Sequence, residues 1–188
     1  MNSPTPQTTG GKVLLHFSMS LDGFVAGPDH DMNWLGAGFT GRPGVIEEYV
    51  ATTGAVLGGR RGWDAFPDPT AVYGGAWSGP IFVLTHHPDD ATPADGVTFL
   101  DCDVAEAVAI ALDAAGGKNV EVLSPTIGGQ LLQLGLVDEL DLHIAPVLLG
   151  DGIRLYDHPG GEPLLLEQAD DGAFVELDVR YQPRSTTT

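Results

Sequence analysis

The stretch at residues 122–152, VLSPTIGGQLLQLGLVDELDLHIAPVLLGDG, decides the fold reading. The apolar run at 120–123 reads as a buried strand that breaks at Ser124-Pro125. A short helix over 126–134 follows, and Gly135 closes it. A second strand, 138–149, leads into a Gly-Asp-Gly turn. A strand that empties into a small-residue turn and then a helix N-terminus is where α/β proteins bind phosphates, because backbone N–H groups and the helix dipole point outward there. The stretch predicts a nucleotide site centred on this turn.

Working outward, residues 1–11 (MNSPTPQTTGG) are polar, aperiodic and read as a disordered tail, as do the last few residues from 183. One domain is expected over 12–182. Residues 12–19 read as a buried strand, followed by a long loop, 20–41, with five glycines and the aromatics Phe24, Trp34 and Phe39. A loop of that length in a compact domain suggests binding. A helix is expected at 43–52, with proline in its first turn and early glutamates suiting the dipole. A short strand, 55–57, runs into Gly58-Gly59-Arg60-Arg61 and a second short helix. Strands at 80–85 and 97–100 come next, then a helix capped by Asp103, with Val104, Ala107, Val108, Ala111 and Leu112 on one face. Two last strands, 164–168 and 174–181, flank the hairpin signal Asp170-Asp171-Gly172. Alternating strands and helices predict an α/β fold. Its central sheet is mainly parallel, with helices on both faces and an antiparallel C-terminal hairpin.

At 188 residues the chain can bury a real core. No apolar run approaches a membrane span, and the start lacks a signal-peptide pattern. Cys102 is the single cysteine, so no intramolecular disulfide forms and a reducing cytoplasm is the simplest setting. Acids flank it on both sides and make it a poor nucleophile. The formal charge of −18 argues against nucleic acid or anionic membrane as partners. It also singles out Arg60-Arg61, the one basic cluster an anionic ligand could use.

Four motifs in order, SMSLDGFVAGPD, GAVLGGRR, IFVLTHHP and GLVDELDLHIAPVLLGDGIRLYD, resemble the dihydrofolate-reductase-like superfamily. More narrowly, residues 12–182 are similar to the reductase domain of riboflavin-biosynthesis deaminase-reductases and its stand-alone bacterial relatives. The resemblance implies a three-layer fold, NADPH as cofactor and reduction of a small heterocyclic or ribosyl substrate, often by a homodimer. The apolar segment 142–149 is a candidate shared edge.

Carried over by motif, Gly59, Arg60 and Arg61 match the turn holding the cofactor's pyrophosphate and 2′-phosphate. Both arginines would otherwise be surface partners of acids. Thr85 and His86 match residues beside the adenosine, His86 being equally readable as part of a solvated turn. Leu21, Asp22, Gly23, Val25, Ala26 and Gly27 match the loop flanking the nicotinamide. Asp22 is the candidate catalytic carboxylate, to position substrate or relay a proton, or else a turn-former bonding its loop's own amides. Ser124, Thr126 and Ile127 line the phosphate turn. Met32 and Trp34 resemble the segment that covers the ring on the substrate side, with local packing as the alternative for Trp34.

Two departures stand out. Folate reductases carry an acid on the first helix, and the matching position here is close to Val45, with Glu47 and Glu48 displaced from it. Relatives also have Gly-Gly or Gly-Ala where this chain has Ser124-Pro125, and proline has no N–H for a phosphate. Gly128-Gly129 either restore close approach or weaken the helix. The expected activity is an NADPH-dependent reductase of the riboflavin-pathway type. A dihydrofolate-type reductase and a non-catalytic nucleotide-binding or oligomerisation module are the alternatives. His143 reads as structural and no metal site is expected, because no second ligand lies at a suitable spacing.

Overall fold

A computed structural model of the protein describes residues 10–36 and 43–166. In chain order it places β1 (Val13–Ser20), β2 (Phe24–Ala26), α1 (Val45–Thr52), β3 (Thr53–Gly59), α2 (Arg60–Ala65) and β4 (Ile81–Leu84). Then come β5 (Val97–Leu100), α3 (Val104–Ala114), β6 (Asn119–Val122), α4 (Pro125–Leu134), β7 (Glu139–Ala145) and β8 (Ile153–Arg154). Six strands form one sheet in the order β5-β4-β3-β6-β1-β7, with every pairing parallel. β2 and β8 make a separate antiparallel pair.

Strand side chains alternate between faces, and the two faces bury different layers. Val13, Leu15, Ala55, Leu57, Val120 and Val122 meet Ala107, Val108 and Ala111 of α3 and Ile127 and Leu131 of α4. On the other face Val56, Ile81 and Val83 pack with Trp77, against Val50 of α1 and Trp63 of α2. The expected mainly parallel sheet with helices on both faces is therefore present. Truncating a fully buried leucine such as Leu131 to alanine costs about 2–5 kcal/mol in cores of this kind.

Caps set the helix ends. Asp103 accepts from Glu106 N at 2.8 Å and starts α3. Ser124 caps α4, with Pro125 at its first position, where the missing N–H has no partner inside a helix. Gly135, with φ of 68°, ends it.

Three expectations need correction. The strand predicted at 138–149 stops at Ala145, because Pro146 cannot donate to a ladder and the chain turns away. The loop predicted over 20–41 contains β2, whose partner lies far along the chain, at residues 153–154. Of the C-terminal hairpin strands predicted at 164–168 and 174–181, residues 164–166 carry no strand. The rest, with the hairpin turn, the terminal tails and Phe39, lies outside the described residues. The chain divides into two compact units after Asp157. The first holds all the elements named above. The described part of the second, 158–166, contains a turn closed by Gly161 N–H to His158 O at 3.1 Å. Among the described residues no helix is long and apolar enough to cross a membrane.

Candidate functional site

Parallel pairing aligns the carboxyl ends of β1, β3, β4 and β6 along one edge of the sheet. Leu57 lies opposite Val122 and Gly59 opposite Leu84, so the turns after β3, β4 and β6 are neighbours. A methyl group at Gly59 would sit 3.0 Å from Ser124 Oγ and 3.6 Å from Ile127 Cδ1. The two turns approach so closely that glycine is the residue that fits at 59. In the first turn of α4, Ile127 N reaches Ser124 Oγ at 3.5 Å and Gly128 N donates to Ser124 O at 2.8 Å. Pro125 removes only the amide at the first position. Thr126 N–H, with no carbonyl four residues back inside the helix, still faces outward.

At the end of β1 the segment Leu21–Gly27 is stitched to residues 147–155. Leu21 N donates to Val147 O at 2.8 Å, and Leu155 N to Gly23 O at 3.1 Å. Gly152, at φ of 135°, packs so closely that a Cβ would stand 2.1 Å from Ala26 O. Asp22 is central to this seam. Its carboxylate accepts from Ser20 Oγ at 2.7 Å, Leu149 N at 3.1 Å and Gly150 N at 2.7 Å. These donors, the Ser20 hydroxyl first, pull its pKa down to about 2. Asp22 is thus ionised at neutral pH, has no proton to give, and bonds amides of the 147–155 segment as well as donors of its own loop. Arg154 donates to Asp22 O at 3.2 Å and lies 4.4 Å over the Phe24 ring. Val25 and Ala26 are buried, Leu21 and Met32 are exposed, and Trp34 is buried.

The basic pair divides its tasks. Arg60 Nε holds both oxygens of Asp64, at 2.7 and 2.9 Å, while its terminal nitrogens donate to His87 O at 3.1 Å and Asp90 O at 3.2 Å. Arg60 thereby ties α2 to the turn after β4. Arg61 is exposed. Thr85 is buried and its hydroxyl accepts from His87 N at 3.1 Å, while His86 points outward, 3.6 Å from Asp101.

On the α1 face the structure assembles a polar cluster that sequence reading missed. β1 and β6 bring Glu121 opposite Leu14, and β1 and β7 bring Asp141 opposite His16 and His143 opposite Ser18. Glu121 has no exposed surface and accepts from Thr53 Oγ1 and Tyr73 Oη. His16 lies among the rings of Tyr49, Tyr73 and His143. Its Nδ1 is 2.9 Å from Tyr73 Oη, its Nε2 is 2.8 Å from His143 Nε2, and its ring stacks on Tyr49 at 3.6 Å. Tyr49 Oη donates to Asp141 at 2.5 Å. Burial pushes the ionisation of both phenols far above its ordinary range, and the neighbouring carboxylates add to the effect. His143 therefore has close polar partners on two strands, which its own sequence surroundings concealed. His16, Asp141 and His143 offer ligand atoms within 4.8 Å of one another, a donor set that suits a transition metal. His16 Nε2, His143 Nε2 and Asp141 Oδ2 take part in the His–His and Tyr49–Asp141 bonds. The available signal was a glutamate and a histidine within otherwise apolar strand runs, NVEV and VLLHFS, because a charge buried there must have partners.

The family profile described as the RibD C-terminal domain matches residues 11–171. The chain is 27% identical over 150 residues to the uncharacterized protein YwjB of Bacillus subtilis (strain 168), covering 77% of this chain and 82% of that one. It is 48% identical over 58 residues to the riboflavin biosynthesis protein RibD of Escherichia coli (strain K12), covering 30% of this chain and 15% of that one. A structure provisionally assigned to riboflavin biosynthesis in Shewanella sp. PV-4 superposes with a TM-score of 0.64 at 21% identity, over 80% of this chain and 86% of that one. Dihydrofolate reductase of Enterococcus faecalis, complexed with NADP(H), superposes with a TM-score of 0.55 at 15% identity, over 79% of each. The fold is thus dihydrofolate-reductase-like.

Proposed function

The chain belongs to the RibD C-terminal domain family, and from that premise we propose that it is an NADPH-dependent reductase of the riboflavin-pathway type. Its substrate class is a small heterocyclic or ribosyl compound resembling 5-amino-6-(5-phosphoribosylamino)uracil. The observation that carries the reading is the close approach of Gly59 to the capped start of α4, which sets two backbone turns side by side at the carboxyl ends of β3 and β6. Gly59, Ser124, Thr126 and Ile127 would hold the pyrophosphate, with Thr126 N–H as donor. Arg61 would take the 2′-phosphate with a charge-assisted fork, while Arg60 fixes the adjoining turn. Thr85 and His86 would border the adenosine. Leu21, Gly23, Val25, Ala26 and Gly27 would form the wall beside the nicotinamide, held in shape by Asp22, with Met32 and Trp34 on the substrate side. When bound, the cofactor supplies hydride. The chain supplies orientation and exclusion of water.

The dihydrofolate alternative is weaker, because α1 turns Tyr49 toward the sheet and leaves both of its acids, Glu47 and Glu48, exposed. A homodimer and a cytoplasmic setting accompany the proposed activity. Ile144 and Leu148, 41% and 69% exposed, are the apolar positions that a second copy would cover.

Fluorescence titration with NADPH and NADH tests the reading. Binding is expected for NADPH, and Arg61→Ala should weaken it about 10- to 100-fold more than it weakens NADH, the worth of one or two charged hydrogen bonds. No binding at millimolar cofactor would sink the enzyme reading in favour of a non-catalytic module.

A further inference from the structure

The polar cluster on the α1 face holds three donors that strand register, rather than spacing along the chain, brings together. Asp141 and His143 are two residues apart on β7 and share a face of the sheet. Asp141 pairs with His16 of β1, so all three side chains leave the sheet on one side. His16 Nε2 and His143 Nε2 face one another at 2.8 Å, and Asp141 Oδ2 is 3.9 Å from His143 Nε2. A tetrahedral zinc ion with bonds of about 2.0–2.2 Å holds its donor atoms about 3.3 Å apart. The two observed distances bracket that spacing, so side-chain shifts of about half an ångström admit the ion.

The neighbouring groups already orient these donors. Tyr73 stays a phenol and donates to Glu121, so toward His16 its oxygen can only accept. A neutral His16 therefore carries its proton on Nδ1, 2.9 Å from that oxygen, and turns the lone pair of Nε2 toward His143. Metal-ligating histidines are oriented through their second ring N–H, and here that bond runs through Tyr73 to the Glu121 carboxylate. Tyr49 Oη holds Asp141 in the same manner, donating at 2.5 Å. Charge points the same way. Glu121 has no exposed surface, and among the described residues the only basic groups in ion-pair range of Glu121 or Asp141 are the two histidines. Lys12 pairs with Glu139 instead, at 2.6 Å. Two carboxylates beside two neutral imidazoles leave a negative charge that a dication balances. The side chains of His143 and Asp141, 19% and 35% exposed, give an ion access from solvent.

We propose that His16 Nε2, His143 Nε2 and the Asp141 carboxylate form a binding site for one divalent transition-metal ion of the zinc class, its ligands oriented by Tyr73, Glu121 and Tyr49. Two imidazoles and one carboxylate suit zinc, cobalt or nickel, whereas magnesium and calcium take oxygen ligands. The ion replaces the hydrogen between the two rings. His143, neutral before and after, exchanges its Nε2 proton for one on Nδ1 through water, and no net proton is released. Three protein ligands leave the fourth tetrahedral position to water. The site would exist whether or not the chain is a reductase.

The untagged full chain, freed of metal by dialysis against a chelator, tests the site. In long-range proton–nitrogen NMR, added Zn2+ should move the Nε2 resonances of His16 and His143 and leave those of His30, His86, His87 and His158 in place. Co2+ should give the visible absorption of a four- or five-coordinate ion that saturates at one equivalent, and millimolar Mg2+ or Ca2+ should not displace it. Tyr73→Phe removes only the oxygen that fixes the His16 tautomer and should weaken Co2+ binding about 10- to 100-fold. Asp141→Asn, which keeps the side chain's shape, and His143→Gln should weaken it at least as much. The NMR measurement needs no substitution, so it decides the matter even where a variant fails to fold. Shifts at the other histidines, no shifts with Zn2+ in millimolar excess, displacement by Mg2+ or Ca2+, or an affinity unchanged in folded variants would each overturn the proposal.

Discussion

Gly128 and Gly129 sit side by side in α4, yet replacing each with alanine should have opposite effects. Helix propensity alone favours alanine by about 0.8–1.0 kcal/mol at either position. At Gly129 the added methyl would have Tyr156 Cδ2 at 3.8 Å, an ordinary contact, so the propensity gain survives. At Gly128 it would stand 2.8 Å from Leu15 Cδ2 and 3.1 Å from Cδ1. Leu15 is 1% exposed and surrounded by the α3–α4 layer, so it has little room to yield. Overpacking of that kind costs about 1–3 kcal/mol, which cancels or exceeds the gain. The expected net effect is about 0.5–1 kcal/mol of stabilisation for Gly129→Ala and up to about 2 kcal/mol of destabilisation for Gly128→Ala. In thermal unfolding that separates the two variants by several degrees, at about 2–4 °C per kcal/mol for a chain of this size. Equal stabilisation of both would refute the close approach of α4 to β1. That approach places Ser124 and Thr126 beside Gly59.

Other outcomes follow from the same geometry. Because Asp22 has a folded-state pKa near 2 against 3.8 unperturbed, its contribution is present above about pH 4 and is lost as pH falls toward 2. The amide shifts of Leu149 and Gly150 should titrate with a midpoint near 2, and a midpoint near 4 would remove Asp22 from that seam. Arg60→Ala should weaken NADPH and NADH alike, by loosening the turn at Pro88–Asp90, in contrast to Arg61→Ala; selective loss of NADPH in both variants would show that Arg60 also reads the 2′-phosphate. Burial and the nearby Glu106, Asp103 and Asp101 push the Cys102 thiol up. Its reaction with iodoacetamide at pH 7.5 should therefore be slower than that of free cysteine, and a faster reaction would contradict its placement.

The parallel order was legible because strands such as Ile81–Leu84 and helices such as Val104–Ala114 are local, and their periodicity and caps are written in adjacent residues. In the sequence the turn at Ser124-Pro125 reads only as a break and a departure, whereas the structure makes Ser124 the cap and Pro125 the first residue of α4. Contacts across distant segments were not legible. β2 is three residues long and exists through β8, and the carboxylate of Asp22 is defined by amides at Leu149 and Gly150. The Glu121–Tyr73–His16–His143 array draws on two central strands, an edge strand and a turn, and no spacing rule within one element could have joined them. Arg60 shows the converse. Its sequence context suggested a phosphate ligand, whereas three-dimensional packing gives its fork to Asp64, His87 and Asp90.

The central claim is that the cofactor lies along the carboxyl edge of β1, β3, β4 and β6. Proton–nitrogen correlation spectra recorded while NADPH is added test it most directly. The account predicts saturable shifts of the backbone amides of Leu21, Gly23, Gly59, Arg61, Thr85, Thr126 and Ile127, with Val97–Leu100 of β5 little changed. Saturable shifts confined to the opposite edge of the sheet, or none at all with NADPH in millimolar excess, would contradict it.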